Sequence, residues 1–197
     1  MTRIVAVLAC IFLAAAVPRA FAGSTSVGGS VTFDQRAKDV GVPHDVKVLV
    51  QGAHTFDNGA ILGGSVEYLN NAFIDTATVN VEGTLGYRIH FNPTLSVIGS
   101  LGFGEHFTTT GIGGTFPYYV LRAGADVTLD KAWTWNAVAF RYRDAFEPRY
   151  NFKTPQLGTG LTYKLDAHNS VSGTVQYNWR KWSPESVGFV VGYSHTF

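Results

Sequence analysis

Read backwards by twos from its last residue, the chain gives Phe197, His195, Tyr193, Val191, Phe189 and Val187. Between them stand Thr196, Ser194, Gly192, Val190 and Gly188. One face of this segment is aromatic and β-branched, the other mostly small or polar, which is the period of a β-strand. Chain ends fray unless something ties them down. A final strand this apolar must be held by something.

The same alternation recurs along the chain. It predicts strands at 24–36, 44–56, 60–70, 77–91, 94–107, 116–129, 132–143, 155–165, 169–181 and 186–197. Four connections are tight and rich in turn chemistry: Asp57-Asn58-Gly59, Asn92-Pro93, Asp130-Lys131 and Asp166-Ala167-His168-Asn169. Asn and Asp bond their own backbone in turns, Gly tolerates the left-handed region and Pro presets φ. Looser connections around 37–43, 71–76, 108–115, 144–154 and 182–185 fall between them. Tight turn and longer loop alternate as in an up-and-down barrel. With both termini periplasmic, the tight turns are periplasmic and the loops face outward. Ten strands satisfy the even-number rule; eight follow if the first hairpin is a plug or one weak pair does not form.

The N-terminus bears on the compartment. Arg3 precedes an uncharged apolar run from Ile4 to Val17, followed by Ala20-Phe21-Ala22. A basic n-region, a short apolar run and a small-x-small site predict a signal peptide over 1–22, leaving a single domain over 23–197. The run is too short for the roughly 20 residues of a spanning helix. A lipoprotein site at Cys10 would leave too short an apolar run before cleavage. Without Cys10 the remainder has no cysteine, hence no disulfide framework or thiol chemistry. Losing Arg3 and Arg19 turns the formal charge from +1 to −1, so no basic field points to nucleic acid. No later stretch is apolar enough for a transmembrane helix, which leaves a closed barrel as the way to span a membrane.

The two faces support that choice. Val79, Val81, Leu85, Tyr87, Ile89 and Phe91 share one side with Tyr119, Leu121, Ala123, Ala125, Val127 and Leu129. Leu157, Leu161, Tyr163, Leu165, Val171, Val175, Tyr177 and Trp179 continue it. The other side is Gly, Ser, Thr and isolated charges. A water-soluble barrel with its apolar face inward would carry a Lys- and Glu-rich exterior, and this chain offers none. Segment 132–143 breaks the pattern: Trp133 and Trp135 share parity with Arg141 and Arg143, while Val138, Phe140 and Tyr142 hold the other. A β-bulge near Asn136 would repair it. Aromatics gather near strand ends, with Phe91, Trp133, Trp135, Tyr163, Tyr193 and Phe197 at one end. Tyr68, Phe107, Tyr119, Tyr142 and Trp179 gather at the other, as interfacial girdles require.

The terminal strand, with Phe189, Val191, Tyr193, His195 and Phe197, resembles the C-terminal signal of Gram-negative outer-membrane β-barrels, which commonly ends on Phe. His195 departs from the aromatic or apolar residue usual at its position. The resemblance covers the whole of 23–197 at the level of pattern. It implies an integral barrel in outer-membrane lipid, handled by periplasmic chaperones and inserted by the barrel-assembly machinery. The oligomeric state is not specified.

The ionisable residues predicted to face inward are Asp34, Arg36, Lys47, Glu67, Glu82, Arg88, Arg122, Asp126, Lys164 and Arg180. They could pair into a plug, since an unpaired buried charge is costly, or line a narrow pore and set its selectivity. The slight basic excess would favour anions. The expected role is therefore a narrow porin-like channel or a structural barrel. The enzyme alternative, of the lipid A hydrolase or protease type, would rest on Glu105-His106 with Asp144 or Glu147 at the outer rim, or on His54 with Glu67. Neither has specific spacing, and His54 lies far from the outer leaflet with no serine close by. The six histidines show no ligand spacing, so neither a metal nor any other cofactor is expected. A docking or adhesin role would rest on loop 144–154, which alone combines charge, aromatics and Pro; if any loop binds a partner or folds inward it is this one, and otherwise it is a simple exposed connection. Phe197→Ala is expected to lower the amount of folded barrel in the outer membrane, measured by heat-modifiable gel shift. Wild-type amounts would count against the terminal signal.

Overall fold

The computed structural model describes residues 22–39, 41, 43–71, 76–111 and 113–197. The expected signal peptide, with Cys10 and everything before Ala22, lies outside the described residues. The strands are β1 (Gly23–Arg36), β2 (Pro43–Phe56), β3 (Ala60–Asn71), β4 (Thr76–His90) and β5 (Leu95–Thr110). They continue as β6 (Phe116–Thr128), β7 (Trp133–Ala145), β8 (Gln156–Lys164), β9 (Asn169–Arg180) and β10 (Ser183–Thr196). Each pairs antiparallel with the next, and β10 returns to β1, closing a ten-stranded up-and-down barrel. The closing register runs from Ser26 opposite Thr196 to Arg36 opposite Ser186. Phe197 adds a bond from its N–H to the carbonyl of Thr25, 2.9 Å long. Thus the apolar terminal strand is held along its length, and no sheet edge is left open. Eight strands are ruled out.

Burial is inverted relative to a water-soluble protein. Among the described residues the buried hydrophobic side chains are only Ala77, Val81, Phe116, Tyr118, Val120 and Ala145. The exposed ones run all round the wall, from Phe33 and Val48 through Leu85, Leu121, Leu157 and Val175 to Val191. Leu85 is 59% exposed and Val191 63%, whereas the carboxylates of Asp34 and Glu82 retain 2% and 6% residue exposure. A monomer in water does not present so large an apolar surface; one in lipid must. Val81 is an exception, sharing the outward parity but only 7% exposed.

The four tight turns at one end share a design. Asn58 accepts the N–H of Ala60, Asn92 those of Thr94 and Leu95, and Asp130 those of Ala132 and Trp133. Asp166 accepts those of His168 at 2.7 Å and Asn169 at 2.8 Å. The side chain of Asn169, then these two N–H groups, hold the Asp166 carboxyl below the usual carboxylate range. Gly59 has φ 91°, and a Cβ there would meet the carbonyl oxygen of Arg88 at 2.4 Å, so no side chain fits. This end, which also holds Gly23 and Phe197, is called the turn end; the other is the loop end.

The loop end differs from expectation in one place. The connection expected to be loose at 182–185 is the shortest, with Arg180 opposite Ser183 and only Lys181 (φ 52°) and Trp182 (φ 65°) between. Two successive positive φ values match the twist of a hairpin, though neither residue is the Gly or Asn that would advertise it. The extra residue is accommodated below, where the β9–β10 register shifts between Pro184 and Ser186.

β7 has its bulge. Asn136 opposes Asp126, but Val138 opposes Ala125, leaving Ala137 as the extra residue. The shift also appears against β8. Trp133 and Trp135 face outward before it, and Val138 and Phe140 after it. Arg141 and Arg143 consequently turn inward. Aromatic rings crowd both ends of the outer wall. Trp133 and Tyr163 lie 4.7 Å apart at the turn end, and Tyr119 and Phe146 5.4 Å apart at the loop end.

These faces generate a direct test. Leu121→Arg is expected to cost about 2–4 kcal/mol of folding stability in lipid vesicles, whereas Thr84→Lys, beside the inward Glu82, should cost much less. Equal losses in urea titrations would contradict the assignment of faces.

Candidate functional site: the barrel lumen

The interior is polar because inward positions of every strand carry Gly, Ser, Thr, amides or charges. Its charges lie mostly in bonded clusters. On β1 and β2, Lys47 pairs with Asp34, whose other oxygen accepts from Asn178 of β9 at 3.1 Å. On β4 and β6, Glu82 accepts from Arg122 at 2.5 Å and from Thr84 at 3.0 Å. Nearer the turn end, Arg88 and Asp126 stand 3.8 Å apart, and Asp126 also accepts from Asn136 at 2.9 Å.

The central cluster crosses the lumen. Glu67 of β3 accepts from Arg143 of β7 at 3.2 Å and from Asn80 of β4 at 2.8 Å. Its second oxygen lies 4.0 Å from Arg141, too long for a good hydrogen bond. Asn80 in turn bonds His106 of β5, 2.7 Å away. One carboxylate therefore serves two guanidinium groups. The buried Nε of Arg141 has no hydrogen-bond partner among the described residues.

The loop 146–155 completes this layer from above. Pro148–Tyr150 forms a single 3-10 turn, closed by Asn151 at φ 45°. Phe152 is then carried inward, 5.0 Å from Phe116 and 5.1 Å from His106, with the Arg143 guanidinium 4.7 Å from its centroid. Thr154 accepts from Arg143 Nε at 3.4 Å. The loop singled out in the sequence as the one to bind or fold inward, if any does, thus sends Phe152 into the lumen.

Two cavities lie among the described residues of the lumen. The larger, about 420 Å³, is lined by Ser26, Ser30, Gln51, Gly64, Thr84 and Gln176 together with Glu67, Glu82 and Arg122. The smaller, about 300 Å³, lies at the loop end among Thr78, His106, Phe116, Tyr150, Phe152 and Asp45. Lys47, Asn80, Arg141 and Arg143 line both. The Glu67 cluster is the partition between two chambers.

Solved structures share this architecture. The NanC porin superposes with a TM-score of 0.53 at 10% identity, covering 86% of this chain and 98% of that one. An outer-membrane channel from Pseudomonas putida F1 gives 0.56 at 7% identity, covering 89% and 96%. The fold is that of outer-membrane barrels. No protein-family model matches the sequence, and no curated protein matches it.

Of the ten ionisable residues expected inside, the structure brings Asp34, Lys47, Glu67, Glu82, Arg88, Arg122 and Asp126 into the interior pairs above. Arg36 is half-buried near the loop end of β1. Arg180 is exposed at the loop rim, 3.8 Å from Glu185, and Lys164 is exposed at the turn end of β8. The sequence reading missed the two central arginines, Arg141 and Arg143. Their signal was the broken parity of β7, which a bulge converts into an inward pair.

Glu105 and His106, neighbours in sequence, are not brought together. His106 is buried in the lumen, whereas Glu105 shares the outward parity of the exposed Phe103. His54 bonds Thr25 at 2.9 Å, and Glu67 sits opposite Leu49, five positions along β2 from His54. Asp144 accepts from Tyr142, and Glu147 pairs with Arg149 at the exposed rim. Among the described residues no group of His, Cys, Asp and Glu is arranged to hold a metal ion.

Removing the shared carboxylate leaves two arginines facing each other. Glu67→Gln is expected to cost about 3 kcal/mol in urea titrations of the refolded protein. Asp126→Asn, whose ion partner is more distant and wetter, should cost less than about 1 kcal/mol. Equal losses would contradict the central role of Glu67.

Proposed function

We propose that this protein is a narrow outer-membrane channel for small hydrophilic solutes, with a preference for anions. The observation that carries this is the pair of chambers meeting at Lys47, Arg141 and Arg143, where Lys47 pairs with Asp34 and the single carboxylate of Glu67 serves both arginines. Narrow polar lumens focus fields, and rings of like charge set ion selectivity. The superposed structures include a porin and an outer-membrane channel, which supports transport and gives the enzyme alternative nothing. On this reading the turn end is periplasmic. Insertion by the barrel-assembly machinery, with help from periplasmic chaperones, is proposed on the terminal strand, where Tyr193 and His195 both bond Asn169.

A closed structural barrel is the second reading, favoured by the Glu67 cluster that bridges β3 to β7. Planar-bilayer recordings separate the two. The channel predicts small, reproducible steps with an anion-selective reversal potential in a potassium chloride gradient. Arg141→Gln should move that potential toward zero. Silence from protein shown to be folded by its gel shift would leave the structural barrel.

A further inference from the structure

The two chambers are chemically unequal. The larger one is walled mostly by small and amide-bearing residues and includes Glu67 and Glu82. The loop-end chamber has a similar balance of charge, with Asp45 and Glu185 beside Lys47, Arg141, Arg143 and Arg180, and differs in the aromatic wall that stands over its cations. In the wall, Phe116 stacks on Tyr150 with centroids 4.3 Å apart and planes 22° from parallel, and Phe152 meets Phe116 edge-on. The floor is made by Arg141, Arg143 and Lys47.

The floor cations are not equivalent. Lys47 is committed to Asp34, and Arg143 to Glu67, Thr154 and the face of Phe152. Arg141 has only a 4.0 Å contact with Glu67 and a buried Nε that donates to nothing described. It is the cation with a planar donor fork to spare, and a carboxylate is the anion that matches that fork. Beside it, the ring wall offers apolar, π-rich contact that an inorganic anion cannot use. A volume of about 300 Å³ is at the small end for ligand sites.

We propose that the loop-end chamber is a binding site for a small aromatic carboxylate of the benzoate class, held by Arg141 and packed against the rings of Tyr150 and Phe152, since Phe116 is buried between His106 and Tyr150. This deepens the channel reading by naming a solute class, and rests on that reading only for the solute's passage.

Calorimetric titration of the refolded barrel in micelles with benzoate, against micelles alone, tests it. Benzoate should bind saturably, and acetate, which lacks the ring, about tenfold more weakly or worse. Arg141→Gln should weaken benzoate by about tenfold or more, with Arg141→Lys, which keeps the charge without the fork, also weakened. Phe152→Leu, a milder change than removal, should weaken benzoate while leaving acetate unchanged. Each variant is first shown to be folded by its gel shift. Equal affinity for benzoate and acetate, or benzoate binding indifferent to Arg141→Gln, would overturn the site. Benzoate binding by a barrel silent in bilayers would sink the channel and leave the site. Chloride conduction without benzoate binding would sink the site and leave the channel.

Discussion

A strand in hydrocarbon has no water to receive its unpaired N–H and C=O groups, and each one left open costs several kcal/mol. The pairing of β10 with β1 is therefore the contact on which everything else depends. It joins the two ends of the described chain along eleven residue pairs, Ser26–Thr196 to Arg36–Ser186. Once the ring is closed, every strand has two neighbours, and the only freedom left is which face looks out. Lipid decides that. Phe189, Val191 and Tyr193 are exposed on the terminal strand for the same reason that Leu121 and Leu157 are exposed elsewhere.

Closure then forces polarity inward. Ten strands enclose more space than eight, which side chains alone just fill, and the inward glycines and serines leave it open. Charges placed there are partly out of water, so they gather into pairs: Lys47 with Asp34, Arg122 with Glu82, Arg143 with Glu67. The pairing is incomplete at one point. Two guanidinium groups share Glu67, and that local excess, between two chambers, is where stability and solute selection meet. The 146–155 loop adds aromatic side chains from a connection: Tyr150 stacks on Phe116, and Phe152 lands on Arg143.

Much of this was legible in the alternation alone, because a strand's side-chain period converts parity directly into facing. Strand ends fell within three residues of their predicted places, and Asn58, Asn92, Asp130 and Asp166 announced the turns through their bonding habit. Broken parity placed the slip of β7 near Asn136 but could not say which residue is the extra one, and it gave no sign of the shift between Pro184 and Ser186. Ala137 looks like any other strand residue, yet its insertion decides that Arg141 and Arg143 face the lumen. The Lys181-Trp182 turn hides similarly, since neither residue is a usual turn former. Pairing partners across the lumen, such as Glu67 with Arg143, depend on barrel closure and have no local signature. Nor does Phe152, whose inward course is set by the Pro148–Tyr150 turn and the left-handed Asn151.

The central claim is that this chain is an inside-out barrel with lipid on one parity of every strand and water on the other. The sole cysteine of the sequence is Cys10, so single cysteines can be placed along β6 from 119 to 127 in a chain starting at Ala22 and spin-labelled one at a time. In lipid vesicles, labels at the odd positions, from Tyr119 to Val127, should be relaxed by oxygen, which concentrates in the bilayer. Labels at the even positions, from Val120 to Asp126, should be relaxed less by oxygen and more by a water-soluble nickel complex. An oxygen profile alternating with period two would support the account; a flat profile, or one with the two parities exchanged, would contradict it.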